Sequence, residues 1–291
     1  MKRNFLSFLL LLIIAALSSC DKVEAPYLEL KERVIDTGQI IDTTPQRIVL
    51  LEDFTGHKCV NCPEASLLAG NLQMAKPGKL VVVSIHAGFF AVPDPSGNYT
   101  ADYRTPEGNT LFNYFGVLGT PTGLVNRKPY KQKLLLTHDK WEAAIDEELK
   151  RDPLAHITLR NTFNNATRKL EIEAGIRILE ALEGMYNVSV WITESGIVSP
   201  QKNNNSAVGA TPEMLEYTHK HMLRGSVNGT WGDPLNTQPG LAKDQKINKS
   251  YQFTLPETWN ADHCSVIAFI TRTDGTDEKE VVIQAAEMHV R

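Results

Sequence analysis

Ile48-Val49-Leu50-Leu51-Glu52-Asp53-Phe54-Thr55-Gly56-His57-Lys58-Cys59-Val60-Asn61-Cys62-Pro63 decides how this chain is read. The apolar run at its start predicts a buried strand over 48–54. Beyond the turn, residues 62–75 predict a helix. Pro63 sits where a missing N–H does no harm, and Pro77-Gly78 ends the segment. Two thiols separated by two residues at a helix start can close a small disulfide ring. The positive helix end favours a thiolate on the first of them.

Other uses of the pair fit less well. A c-type haem site needs His after the second Cys, and Pro63 stands there. A structural zinc site needs two more ligands, and Cys264 has no second Cys near it. Cys264 lies in an apolar run, Cys264-Ser265-Val266-Ile267, and reads as a small core residue. His219 and His221 have the spacing that puts both on one side of a strand. Without a carboxylate or Cys cluster beside them they do not make a metal site. No metal and no cofactor is therefore expected.

The N-terminus gives the address. Met1-Lys2-Arg3-Asn4 is a short positive region, and Phe5 to Leu17 is apolar or small. That run is too short for a membrane span, which needs about 20 residues, and fits a signal peptide over 1–19. Leu17-Ser18-Ser19-Cys20 resembles the lipobox of bacterial lipoproteins. The resemblance implies cleavage before Cys20 and lipidation of it, and several acyl chains anchor stably. Residues 20–46 then form a tether, with one strand expected near 27–35. Asp21 leaves the sorting signal open between inner-membrane retention and outer-membrane export, and Asp42-Thr43-Thr44 resembles a short O-glycosylation motif. An extracytoplasmic compartment tolerates disulfides. The net charge of −4 becomes −6 once Lys2 and Arg3 are removed with the signal. No basic patch stands out, so nucleic acid is not an expected partner.

From Arg47 the pattern alternates strand and helix. Leu80–Ile85 reads as a second buried strand and 109–115 as a short helix. Segments 123–126 and 132–136 read as strands. Asp139 is the expected N-cap of a helix over 140–150. After Pro153 the pattern is strands only: 156–159, 169–178, 186–193, 250–255, 265–271 and 281–288. Two polar or Gly/Pro-punctuated stretches interrupt these patterns. One is an insertion over 88–108, which reads as either a lid or a passive loop. The other, 201–245, reads as an excursion rather than a core element.

The order over 47–152 resembles the thioredoxin fold. Cys59–Cys62 lie at the strand-to-helix turn. Thr120-Pro121 stand where that family has its cis-proline, and Asp53 stands where it buries an acid beneath the site. The resemblance implies that Cys59 is an exposed nucleophile and Cys62 a shielded resolving thiol. It also implies that Asp53 takes a proton and that Thr120 and Pro121 bind an extended substrate. Lys58 and a protonated His57 would favour the Cys59 thiolate. Glu52 points to the opposite strand face and is the weaker proton partner. The aromatic-Cys-Gly-Pro pattern of that fold is missing.

The expected architecture is thus an α/β thioredoxin-like domain over 47–152, followed by an all-β, immunoglobulin-like sandwich over 153–291. With the lipobox, this arrangement resembles the outer-membrane protein 28-related lipoproteins of Gram-negative anaerobes. The local signatures are Glu52-Asp53-Phe54-Thr55-Gly56, Cys59-Val60-Asn61-Cys62-Pro63 and Tyr217-Thr218-His219-Lys220-His221-Met222-Leu223-Arg224. Two functions follow. One is thiol–disulfide exchange on proteins by a lipoprotein of the outer membrane, at its periplasmic or surface face, with the outer face of the inner membrane as the alternative address. The other is a non-catalytic lipoprotein that binds surface partners, with Cys59–Cys62 a structural clasp.

Overall fold

The computed structural model describes residues 45–275 and 280–291. The signal peptide, Cys20, the tether strand and the Asp42-Thr43-Thr44 motif lie outside the described residues. Strand β1 (Val49–Thr55) and strand β2 (Leu80–His86) are buried along their whole length. They pair in parallel, and helix α1 (Cys62–Ala75) connects them. Continuous apolar runs suit strands covered on both faces. Alternation along β1 then sorts the contacts. Val49 and Leu51 face α1 and a helix further along the chain, whereas Leu50 and Phe54 face the opposite core.

Helix α2 (Pro106–Tyr114) starts earlier than its apolar pattern suggests. Thr105 caps it by accepting a 2.9 Å hydrogen bond from the Gly108 N–H, and Pro106 occupies the first turn. Strand β3 (Thr122–Val125) pairs antiparallel with β1. The strand expected over 132–136 is reduced to the isolated bridges Gly123–Leu136 and Tyr130–Lys133. Asp139 does not cap a helix. It lies in a single 3-10 turn, His138–Lys140, and helix α3 (Trp141–Glu148) follows with no side-chain cap.

The remaining strands are β4 (Ala155–Asn164), β5 (Lys169–Ile178), β6 (Tyr186–Glu194), β7 (Ile197–Lys202), β8 (Glu213–His219), β9 (Met222–Ser226), β10 (Asp233–Pro234), β11 (Lys246–Thr254), β12 (Cys264–Arg272) and β13 (Val282–His289). Their largest sheet is mixed, in the order β13-β12-β6-β9-β2-β1-β3, with β10 paired to β6. A three-stranded sheet, β11-β5-β4, lays Leu170, Ile172, Ala174, Ile176 and Ile178 against Val188, Val190, Val266 and Ala268 of β6 and β12. The fold is mostly β, with few helices.

The two halves expected to fold as separate domains share that sheet. β9 is antiparallel to β6 and meets β2 in parallel at Ser84–Met222. A 2.8 Å bond from the Ser84 N–H to the His221 carbonyl reinforces the join. All described residues belong to one compact unit. The stretch 201–245 is therefore not a bare excursion, because its Met222 and Leu223 are core residues. Among the described residues no helix is long and apolar enough to cross a membrane.

Candidate disulfide site and its cover

The turn after β1 places Cys59 and Cys62 as a disulfide, with S–S 2.08 Å and Cα–Cα 5.4 Å. Backbone bonds from Cys59 N to Gly56 O (3.0 Å) and from Cys62 N to Cys59 O (3.4 Å) close the turn. Cys62 opens α1, and Pro63 fills the first helical turn. Cys59 is not exposed as expected: it is 3 % accessible, and Cys62 2 %. Two segments cover the pair.

The first is the 88–108 insertion. A 3-10 turn, Phe89–Ala91, lies directly on Gly56. A Cβ there would stand 2.5 Å from the Phe90 carbonyl carbon, so only glycine fits. The Lys58 N–H donates to Phe90 O at 3.0 Å, and its ammonium pairs with Asp94 at 2.6 Å. The second is the β7–β8 hairpin. The Gln201 amide donates to Cys59 O at 2.9 Å and to Gly56 O at 3.3 Å. The backbone N–H groups of Lys202 and Asn204 donate to His57 O (2.9 Å) and Val60 O (3.1 Å). The Asn204 amide reaches Asn61, and Asn205 reaches Glu64. The two covers are latched together, since Tyr99 of the insertion donates to Glu213 of the hairpin at 2.7 Å.

Asp53 sits on the α1 face of β1, 1 % accessible. Neither of its carboxyl oxygens has a hydrogen-bond partner among the described residues. Burial alone pushes its pKa up to about 7. Glu52, on the opposite face, is committed elsewhere. The Arg127 guanidinium grips it with two 2.8 Å bonds, and both side chains are essentially inaccessible. The rings of Phe269, Phe115 and Trp191 surround that guanidinium at 5.2–5.7 Å.

Beside the turn lies a plug of histidines and tyrosines. His86 ends β2, and His219 ends β8; their rings are 5.4 Å apart. Tyr103 lies 5.5–5.9 Å from His57, His86 and His219, and Tyr99 stacks on His57 at 5.5 Å. All three imidazoles are buried. Burial lowers the pKa of each, that of His219 to about 4, and the proximity of the other rings adds to the shift for His86 and His219. His57 is therefore neutral near pH 7 and adds no positive charge beside Cys59. Among the described residues no group of three or more His, Cys, Asp or Glu is arranged to hold a metal ion. His219 and His221 do not share a strand face, because His221 turns the chain after β8 with φ 53°. Under the plug, Cys62, Ser66, Gln201, Tyr217 and His219 line a cavity of about 10 Å³, room for roughly one water.

Thr120–Pro121 is a cis peptide bond just before β3. Cys264 is fully buried, and burial raises its thiol to about 12. The covering residues, Gln201, Asn204, Tyr99 and Glu213, were not singled out from the sequence. The signal that marks them is the pair of polar insertions itself, one after β2 and one within the C-terminal half.

A family model described as outer membrane protein Omp28 matches residues 108–290, more than half of the chain. The Cys59–Cys62 turn lies outside that span. No curated protein matches the chain in sequence. Among solved structures, HBP35 of Porphyromonas gingivalis superposes with a TM-score of 0.62 at 16% identity, over 84% of this chain and 76% of that one. Protein AGR_C_4864 of Agrobacterium tumefaciens gives a TM-score of 0.50 at 14% identity, over 85% and 96%. These two likenesses are of fold.

Proposed function

We propose, from the premise that this chain belongs to the Omp28 outer membrane protein family, that it is a lipoprotein anchored through Cys20 whose Cys59–Cys62 pair exchanges disulfides with protein substrates. One observation carries the reading: a disulfide on the strand-to-helix turn, with an unpartnered buried carboxyl, Asp53, on the strand that leads into it. The strand order β2-β1-β3, with α1 leaving the Cys turn, supports the thioredoxin-like reading of 47–152. The three-stranded sheet packed on β6 and β12 supports an immunoglobulin-like reading of 153–291.

In the exchange, a substrate thiolate attacks Cys59 Sγ and the Cys59–Cys62 bond breaks. Cys62 leaves as a thiolate and takes a proton from the protonated Asp53 carboxyl. The second substrate thiolate then attacks its own partner sulfur in the mixed disulfide and releases Cys59. The substrate is oxidised and the pair reduced; the reverse sequence reduces a substrate disulfide. Thr120 and Pro121 offer backbone to the substrate chain, as the thioredoxin resemblance implies. Because Cys59 is covered, the β7–β8 hairpin must lift before attack.

The burial of both sulfurs favours a second reading, in which the disulfide is a clasp and the protein binds partners without exchange. The reduction potential separates the two. An exchanging pair lies in the range of about −270 to −120 mV, and a clasp below about −300 mV. In the exchange reading, Cys62→Ser also traps substrates through Cys59, and Cys59→Ser traps none.

A further inference from the structure

The plug of histidines and tyrosines joins the elements that must part before either sulfur can be reached. His57 belongs to the Cys turn, and His86 ends β2. His219 stands at the base of the covering β7–β8 hairpin, opposite Ile197. Tyr99 and Tyr103 come from the other cover, the 88–108 insertion, and Tyr103 is 5.5–5.9 Å from all three imidazoles. Neither ring nitrogen of His57 or of His86 has a hydrogen-bond partner among the described residues. His219 Nε2 meets Ser199 Oγ at 3.4 Å. Buried polar groups are ordinarily satisfied, so imidazoles packed on one another at a seam between covers ask for a role.

The described groups around the plug offer it no free counter-ion. Near His57, Asp94 is held by Lys58 at 2.6 Å and Asp102 by Arg104 at 2.7 Å. Near His86, Arg224 pairs with Glu194 at 3.2 Å. Lys220 lines the small cavity beside His86 and His219. From the hairpin, Glu213 accepts from Tyr99, Lys202 lies over the Tyr99 ring at 5.5 Å, and Tyr217 is 4.8 Å from His219. Asp53, whose charge reaches Tyr217, is neutral in acid. A proton gained by the plug thus meets other rings and cations. A buried cation without a partner is costly, and it regains water once the covers lift. We propose that the plug is an acid-released gate: protonation of His57, His86 and His219 parts the insertion and the hairpin from the Cys turn and uncovers the Cys59–Cys62 disulfide, while the sheets stay folded. The gate acts on access alone, so it holds whether the pair exchanges or clasps. Burial lowers all three imidazoles, His219 to about 4, and holds the gate shut near pH 7. An uncovered imidazole returns toward about 6.5, so below that pH each proton taken up on opening multiplies the open population about tenfold per pH unit.

The test is the rate at which a small phosphine reduces the disulfide of the mature chain, divided by its rate on a linear peptide disulfide in the same buffer. The ratio cancels the titration of the reductant. Between about pH 7.5 and about pH 5 it should rise about tenfold or more, with far-ultraviolet circular dichroism and tryptophan emission unchanged. His86→Phe and His219→Gln put neutral side chains at two of the three positions, and Phe needs no partner for the ring nitrogens that His86 leaves unpaired. Together they should make the rise at least about threefold smaller, and each alone should remove part of it. The single variants carry the comparison if the double variant does not fold. A ratio that stays flat in the unaltered chain would overturn the proposal. So would a rise that appears only with loss of the circular dichroism signal, or an undiminished rise in the folded variants.

Discussion

Gln201 and Cys59, 142 residues apart in sequence, are joined by a 2.9 Å hydrogen bond from the Gln201 amide to the Cys59 carbonyl. A residue of the C-terminal half thus holds the turn that carries the disulfide. Access to the sulfurs depends on how firmly the hairpin and the insertion are held.

Loosening that cover should expose the disulfide. Gln201→Ala removes a donor that serves the carbonyls of Gly56 and Cys59, and Tyr99→Phe removes the latch to Glu213. Each net hydrogen bond contributes about 1 kcal/mol, so Tyr99→Phe, which removes one, should speed reduction by a small phosphine about fivefold, and Gln201→Ala, which removes two, should speed it more. Stopped reactions resolved by mass would show it. Unchanged rates in both variants would mean that the cover is not what protects the pair.

Stability should fall on acidification, with a countercurrent from carboxyl groups whose pKa burial raises, Asp53 above all. His219 and His221 titrate near 4 in the fold, and His57 and His86 are also lowered; the unfolded value is about 6.5. The native state binds fewer of these protons, so their contribution is complete above about pH 6.5 and is lost as pH falls toward 4. Asp53 runs the other way. Its folded pKa is raised to about 7, so its ionisation destabilises the fold as pH rises from about 4 to 7. Asp53→Asn should therefore leave stability near pH 4 unchanged and add roughly 4 kcal/mol at most above pH 7. Urea unfolding of both proteins from pH 4 to 8 checks this; parallel curves would contradict it. The same variant should slow disulfide exchange, because it keeps the shape and loses the proton.

Arg127→Ala should cost about 3–5 kcal/mol, because it strands the Glu52 carboxylate in an apolar cage. Arg127→Lys should not restore stability, since an ammonium cannot reproduce two parallel bonds. Pairing Arg127→Met with Glu52→Leu should recover much of the loss. Denaturant midpoints of the four proteins form the test.

Cys20→Ala should release the protein from membranes. The positive start, the apolar run and Leu17-Ser18-Ser19-Cys20 motivate it. Detergent partitioning and the mass of the mature N-terminus decide, and an unmodified N-terminus would end the lipoprotein reading.

What could be read from the sequence tracks how apolar each element is. β1, α1 and β2 announce themselves through Val49–Leu51, Pro63 and Val81–Val83, because burial on both faces leaves few polar positions. Asp53 was legible by its place in that run. The hairpin over the site was not, because its buried residues are polar: the amides Gln201 and Asn203, with His219. Gln201 and Asn203 are 2 % and 1 % accessible, yet they resemble loop residues until their bonds to backbone carbonyls are seen. The shared sheet was hidden for a similar reason. β9 is five residues long and meets β2 at one pair, too short a signal to stand out from its polar surroundings. Cys59 was expected at the surface from its turn alone, and only the long-range covers bury it.

The join at Ser84–Met222 bears on how this protein can be handled. A fragment ending near residue 152 would leave the outer side of β2 without its neighbour. That strand, Leu-Val-Val-Val-Ser-Ile-His, is uncharged apart from its final histidine and rich in β-branched residues. It carries none of the lysines, prolines or bulges that keep a free sheet margin from recruiting other chains. Such a fragment should form fibrils or inclusion bodies, so the C-terminal half also acts as an intramolecular guard against self-association.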